Sequence, residues 1–178
     1  MKQRIALDMD EVIADIQPKF IQLYEREFGK RLTKEDLYGK KVYYFEGARY
    51  IREFLFEKGF FRDLPVIADS QEVVQELIQH YDVFITTAAM EFRNCFEDKY
   101  DWMHEFFPFI NWKNIVFCGD KSIIRADYMI DDHASNLRSF QGKGLLFTAS
   151  HNVDETEFTR LNNWLEVRDF FRAERAKN

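Results

Sequence analysis

The sequence predicts an α/β fold, a doubly wound parallel sheet with a small helical cap inserted after the first strand. Three observations predict it. Short apolar runs recur along the chain and each ends in polar residues, as buried parallel strands do. Segments of helical period stand between them, and strands alternating with helices imply parallel pairing through right-handed crossovers. Residues 16–67 interrupt that alternation, reading as helical and aromatic-rich throughout. The Rossmann-like core is therefore expected over residues 1–15 and 68–178, with 16–67 as the inserted cap.

Ile5, Ala6 and Leu7 form the first strand, running into Asp8. From Ile16 the spacing becomes three and four through Phe20, Leu23, Tyr24 and Phe28, with Pro18 in the first turn and Gly29 as the stop. Thr33 and Asp36 have capping spacing for a second helical piece, and "ARYIREFLFEKG" repeats the helical period up to Gly59. Asp69 with Glu72 is expected to cap a helix that presents Val73, Val74, Leu77 and Ile78 to the sheet. Then follow "DVFIT" as a strand, residues 96–107 as a helix, "NIVFC" and "DYMID" as strands, "ASNLRSF" as a short helix and "GLLFT" as the last strand. The tail, residues 156–175, reads as helix.

Composition narrows the function. With 46% apolar residues, including 19 Phe, 8 Tyr and 3 Trp, the chain can bury enough area to offset its conformational entropy. A net charge of −6 lacks the basic footprint of a duplex binder, so nucleic-acid polymers are not expected partners. Cys95 and Cys118 fit neither a disulfide framework nor a zinc pattern and are expected as reduced thiols. Asp8 interrupts the N-terminal apolar run too early for a signal peptide and no stretch is long enough to span a bilayer, so the expected location is cytoplasmic, without membrane association. A homodimer is compatible with this reading.

In a doubly wound sheet, sites form beyond the carboxyl ends of the strands. Those ends carry Asp8 and Asp10, Thr86 and Thr87, Lys121 just after "CGD", and Asp131 with Asp132. Four carboxylates crowded together would repel by roughly 4 kcal/mol per pair at 4 Å and an effective dielectric near 20. A hard divalent cation, best magnesium, held by Asp8, Asp10, Asp131 and Asp132 answers that repulsion, and Lys121 adds a further positive charge. Asp8 is then a candidate nucleophile on phosphorus and Asp10 a candidate general acid and base. A threonine hydroxyl and the Lys121 ammonium would bind the phosphoryl oxygens.

Taken together, "DMDEV", the threonine after strand two, Lys121 and "IDD" resemble, in order, the four motifs of the haloacid dehalogenase superfamily of phosphohydrolases. Within it, "DMDEVIAD", "GFFRDLP", "DVFITTAAM", "DKYDW" and "CGDKSIIRADYMIDD" are similar to the small 5'(3')-deoxyribonucleotidases, whose helical cap lies between the first two motifs. The resemblance implies a magnesium-dependent phosphomonoesterase acting on nucleoside monophosphates through an aspartyl phosphate. It also implies Asp8 as nucleophile, Asp10 as acid/base with its backbone carbonyl on the metal, Lys121 on phosphate and Asp132 as metal ligand, with Asp131 beside that ligand. For the phosphate hydroxyl, the match through "FIT" points to Thr87, while a gap-free count back from Lys121 points to Thr86. The chain departs from better-known members at Glu11, where they have Gly, and at Ile16, where they have an aromatic residue.

Other readings compete. Paired acids at a strand end are often simply solvated, and Asp131 and Asp132 have the chemistry of helix caps. A phosphatase for another small metabolite would use the same strand-end residues. A non-hydrolytic phospho-acceptor or binding protein would use the same residue types, but receiver domains carry their acceptor on a later strand. His80, His104, His133 and His151 share no ligand spacing and are read as non-ligands. Tyr43, Tyr44 and Phe45 are read as packed hydrophobes before base-stacking rings, and Lys40, Lys41, Arg49 and Arg52 as a solvated face.

Overall fold

The structure is a computed structural model and describes residues 2–177. Six parallel strands make one sheet in the order β3-β2-β1-β4-β5-β6: β1 Arg4–Asp8, β2 Asp82–Thr87, β3 Ile115–Phe117, β4 Tyr128–Asp131, β5 Lys143–Phe147 and β6 Thr159–Leu161. The helices are α1 Gln17–Phe28, α2 Ser70–His80, α3 Cys95–Phe106, α4 Ala134–Ser139 and α5 Trp164–Ala176. Period-two alternation sorts the strand residues between two faces. Ala6, Met129 and Leu146 pack with Leu137 and Phe140 of α4. Ile5, Leu7, Ile85, Ile130 and Leu145 point the other way, into the main core with Val74 of α2 and Phe171 of α5.

The order in which strands are laid down reverses between β1 and β4, where Leu7 stands opposite Ile130. Both strands end one residue later, in Asp8 and Asp131, so two acids emerge side by side at the switch point where such sheets bind ligands.

The inserted segment contains α1 and three short 3₁₀ stretches, Glu35–Leu37, Val42–Tyr44 and Arg49–Phe56. Thr33 and Asp36 pair reciprocally as expected, with Thr33 N on Asp36 Oδ2 at 2.9 Å and Asp36 N on Thr33 Oγ1 at 3.3 Å. The segment is fastened over the strand ends by polar contacts. Gly59 N donates to Asp98 Oδ2 at 2.8 Å, Asn94 Nδ2 to the Phe56 carbonyl at 2.8 Å, and Gly39 N to the Ser150 carbonyl at 2.9 Å.

Three expectations need correction. The tail is not uniformly helical: Thr159–Leu161 is a sixth strand on β5, so "GLLFT" is not the last. Three residues with only Leu161 buried give no readable period. The segment after Ala48 is a 3₁₀ turn sequence, its amides bonding three residues back, as from Ile51 N to the Ala48 carbonyl. Ala48 and Ile51, three apart, suit either helix type, while the four-residue step to Leu55 is what reads as α-helical. Asp69 precedes α2 but its side chain caps nothing; its φ of 64° is left-handed, and only its carbonyl joins the helix. Among the described residues no helix is long and apolar enough to cross a membrane.

Candidate active site

Because all strands run the same way, their carboxyl ends share one rim, and the charged residues gather there. Asp8, Asp131, Asp132 and Lys121 are all buried. Asp8 Oδ1 accepts from Met9 N at 2.7 Å and lies 2.8 Å from Lys121 Nζ. Lys121, on the 3₁₀ turn Lys121–Ile123 after β3, also donates to Asp131 Oδ2 at 2.6 Å. Burial disfavours its ammonium, but Asp8 and Asp131 outweigh that and hold its pKa well above the ordinary lysine value. Burial likewise pushes the Asp8 carboxyl up, with Asp131 and Asp10 adding to the effect and Lys121 opposing it.

Asp131 is saturated by donors. Besides Lys121 it accepts from His133 N at 2.8 Å and from Asn136 Nδ2 at 3.0 Å on each oxygen. Asp132 differs: its Oδ1 is buried without a hydrogen-bond partner among the described residues. Its main chain is fixed by the buried Asn152, whose Nδ2 donates to the Asp132 carbonyl at 2.7 Å and to the Phe147 carbonyl at 2.8 Å.

Carboxylate oxygens of Asp8, Asp131 and Asp132 all lie within 4.8 Å of one another. That oxygen-only set, with one orphaned buried acceptor on Asp132, fits a hard divalent cation. The saturation of Asp131 makes Asp8 and Asp132 the better direct donors. Asp10 lies just beyond β1 in the turn bridging to Ala14, its Oδ1 also buried and unpartnered among the described residues.

The two threonines separate clearly. Thr86 stands opposite Asp8 in the sheet and its Oγ1 donates to the Leu7 carbonyl at 3.3 Å, a backbone role. Thr87 Oγ1 instead receives the ammonium of Lys99 at 2.7 Å. Lys99 also reaches Asp10 Oδ2 at 2.5 Å and is 1% exposed. Sequence reasoning missed this residue. It lay inside "DKYDW", but a lysine in an amphipathic helix reads as solvated unless its register with Cys95, Trp102 and Met103, all buried, is noticed.

A cavity of about 270 Å³ opens above these groups, with Asp8, Asp10, Lys121 and Asp132 in one wall. Phe20, Val42, Leu55 and Phe61 line the side formed by the inserted segment, and Phe92 the loop after β2. Of the three ring residues considered above, Tyr43 faces the cavity, Phe45 packs on Tyr24 at 5.7 Å between centroids, and Tyr44 is exposed. Of the cations expected on a solvated face, Lys40 and Arg49 are exposed, whereas Lys41 and Arg52 are partly buried; Lys40, Lys41 and Arg52 all border the cavity. Burial opposes the Lys41 charge, yet Tyr43, Glu11 and Asp132 outweigh it and raise its pKa.

The histidines, unrelated by spacing, partly converge. His133 Nδ1 lies 2.7 Å and His151 Nε2 3.2 Å from Asp132 Oδ2, and Lys41 Nζ is 2.9 Å from His133 Nε2. Burial lowers the His133 pKa, but Asp132 outweighs it and the net shift is upward. His80 and His104 lie elsewhere, on α2 and α3. Cys95 and Cys118 are both buried free thiols, as expected.

Comparison with known proteins bears on this geometry. The family model for 5' nucleotidase, deoxy (pyrimidine), cytosolic type C protein matches residues 2–177. A Staphylococcus epidermidis protein provisionally named a 5'(3')-deoxyribonucleotidase is 44% identical over 174 residues, covering 97% of each chain. The 5'(3')-deoxyribonucleotidase of Bacillus subtilis is 40% identical over 172 residues, covering 94% of this chain and 97% of that one. Among solved structures, a haloacid dehalogenase-like hydrolase from Streptococcus pneumoniae superposes with a TM-score of 0.64 at 14% identity, covering 96% of this chain and 98% of the other. The HAD-hydrolase YfnB of Bacillus subtilis, solved bound to magnesium, gives a TM-score of 0.58 at 14% identity, covering 96% and 99%.

Proposed function

The chain belongs to the 5' nucleotidase, deoxy, cytosolic type C family of phosphomonoester hydrolases, and on that premise we propose that it dephosphorylates deoxyribonucleoside monophosphates through a covalent aspartyl phosphate. The observation that carries the reading is the single rim on which Asp8, Lys121 and Asp132 line a cavity of about 270 Å³, with Thr87 buried at the end of the neighbouring strand β2.

In this reading Asp8 attacks phosphorus in line, forming an O–P bond as the bond to the ester oxygen breaks. Asp10 gives its proton to the departing alkoxide and then takes one from the water that hydrolyses the acyl phosphate, restoring Asp8 and releasing inorganic phosphate. Met9 N and Lys121 both fall on Asp8 Oδ1, which holds that oxygen and leaves the other to attack. Lys121 and the Thr87 hydroxyl meet the charge that accumulates on the phosphoryl oxygens. Asp8 and Asp132, with Asp131 behind them and the Asp10 main chain nearby, would hold magnesium, which when bound offsets negative charge between carboxylate and phosphate. The magnesium-bound relative of the same fold and the orphaned Asp132 Oδ1 both support that choice of ion. Residues 16–67 act as a cap whose apolar wall, Phe20, Leu55 and Phe61, excludes water during the first transfer.

Phosphate release from a panel of nucleoside monophosphates, sugar phosphates and other small esters, with and without magnesium, tests the proposal. Deoxyribonucleotides are expected to turn over fastest, and only with the metal. Faster release from a sugar phosphate than from any nucleotide would overturn the substrate class.

A further inference from the structure

Lys99 carries a charge where charge is usually excluded. It sits on the inner face of α3 among Cys95, Trp102 and Met103, with its side chain 2% exposed and its ammonium 4.6 Å from the centre of the Phe61 ring. A buried lysine needs compensation, and this one has two partners, Asp10 Oδ2 at 2.5 Å and Thr87 Oγ1 at 2.7 Å. An ammonium only donates. Thr87 Oγ1 must therefore accept from it, and the threonine's own proton is turned away from Lys99. Asp10 is tethered through Oδ2 alone, and its Oδ1 is buried with no partner among the described residues.

We propose that Lys99 is a positioning residue: one ammonium aims the Asp10 Oδ1 edge at the leaving-group oxygen and commits the Thr87 hydroxyl proton to the phosphoryl group. The assignment rests on the phosphomonoesterase reading above. In the substrate complex Asp10 carries on Oδ1 a proton drawn from solvent while Oδ2 keeps its bond to Lys99; when the bond from phosphorus to the leaving oxygen breaks, that oxygen takes this proton and Asp10 is left as the carboxylate paired with Lys99. Lys99 and Thr87 keep their protons throughout, so Lys99 acts through its neighbours and touches neither substrate nor metal. A lysine serving only to balance charge in the core would affect every ester alike. A lysine that aims the acid matters most where the leaving group needs a proton.

That difference can be measured by kcat/KM, which reports the first transfer, on a deoxyribonucleoside monophosphate and on 4-nitrophenyl phosphate. The former expels a strongly basic alkoxide; the latter expels a weakly basic phenolate that leaves without a proton. Lys99→Met is expected to lower kcat/KM for the nucleotide roughly 100-fold and for the nitrophenyl ester less than about tenfold, in line with the worth of a placed general acid. Lys99→Gln gives the same comparison should the methionine variant fail to fold, as judged by circular dichroism and thermal melting. Equal losses on the two esters in a folded variant would overturn the assignment and leave the enzyme's function standing. A wild-type protein that releases phosphate from neither ester would overturn the phosphomonoesterase reading itself, and this assignment with it.

Discussion

Lys121 Nζ stands 2.8 Å from Asp8 Oδ1 and 2.6 Å from Asp131 Oδ2, so one buried ammonium separates two buried carboxylates. Removing the cation and removing one acid should have unequal structural consequences. Lys121→Met leaves two carboxylates facing each other without compensation and is expected to cost about 3–5 kcal/mol as well as activity. Asp8→Asn removes one of the repelling charges, preserves the shape and keeps an oxygen for Met9 N and Lys121. Its stability is expected within about 1.5 kcal/mol of wild type, while turnover falls by about 10⁴-fold or more, as for loss of a nucleophile. Urea denaturation and phosphate release on both variants check this; substantial turnover by Asp8→Asn contradicts the covalent route.

Thr86 and Thr87 are neighbours with different duties. Thr86 Oγ1 is engaged with the Leu7 carbonyl, so Thr86→Val should cost about 1 kcal/mol of stability and change kcat/KM less than about threefold. Thr87→Val removes both the acceptor for Lys99 and the proposed donor to phosphate. A drop in kcat/KM of about 100-fold is expected, the usual scale for one lost donor to developing charge. If the two results were exchanged, the phosphate role would pass to Thr86.

How much of this was legible in the sequence follows from which signals are local. Asp8, Lys121 and Asp131 end or follow apolar runs, and parallel strands carry such ends to one rim, so strand reading alone brought them together. Lys99 and His151 reach the same place from a helix face and from the turn after β5, and no period or spacing links either to Asp10 or Asp132. The sixth strand escaped for a related reason. Thr159–Leu161 is held by pairing with Leu145–Phe147, and that long-range partner writes no pattern into three residues.

Glu11 shows a local strain that the sequence marked only through its departure from a resembling glycine. Its φ is 58°, in the left-handed region, which costs a side-chain-bearing residue roughly 1–2 kcal/mol. Its Oε2 lies 3.4 Å from His151 Nδ1, a part-exposed ion-pair geometry worth at most about 1 kcal/mol. Glycine would relieve the strain, lose that contact and add about 0.5–1 kcal/mol of chain entropy to the unfolded state. Glu11→Gly is therefore expected to melt at or slightly above wild type, and Glu11→Val, branched at Cβ, clearly below it. A glycine variant melting several degrees lower would mean that the contact with His151 outweighs the backbone cost.

Glu76 ties α2 to α5 and gives the fold a pH-dependent contribution whose sign can be worked out. Its Oε1 accepts from Arg172 Nε at 2.9 Å and its Oε2 from Arg172 Nη2 at 2.7 Å, with Arg175 Nη2 3.2 Å from Oε1. These bonds, Arg172 foremost, lower the Glu76 pKa from 4.5 to about 2. A carboxyl more acidic in the folded chain than in the unfolded one adds stability that is complete above the unfolded value and disappears as pH falls through the folded value. Arg172 is half exposed, and solvent screening limits the pair to about 0.5–1 kcal/mol despite its forked geometry. Glu76→Gln should thus melt about 1–4 °C below wild type at pH 7. The gap should begin to narrow below the ordinary glutamate pKa of 4.5 and close near pH 2, read by denaturant midpoints if the protein no longer melts cooperatively in acid. A deficit unchanged between pH 7 and pH 3 would assign it to lost packing between the helices and not to the charge.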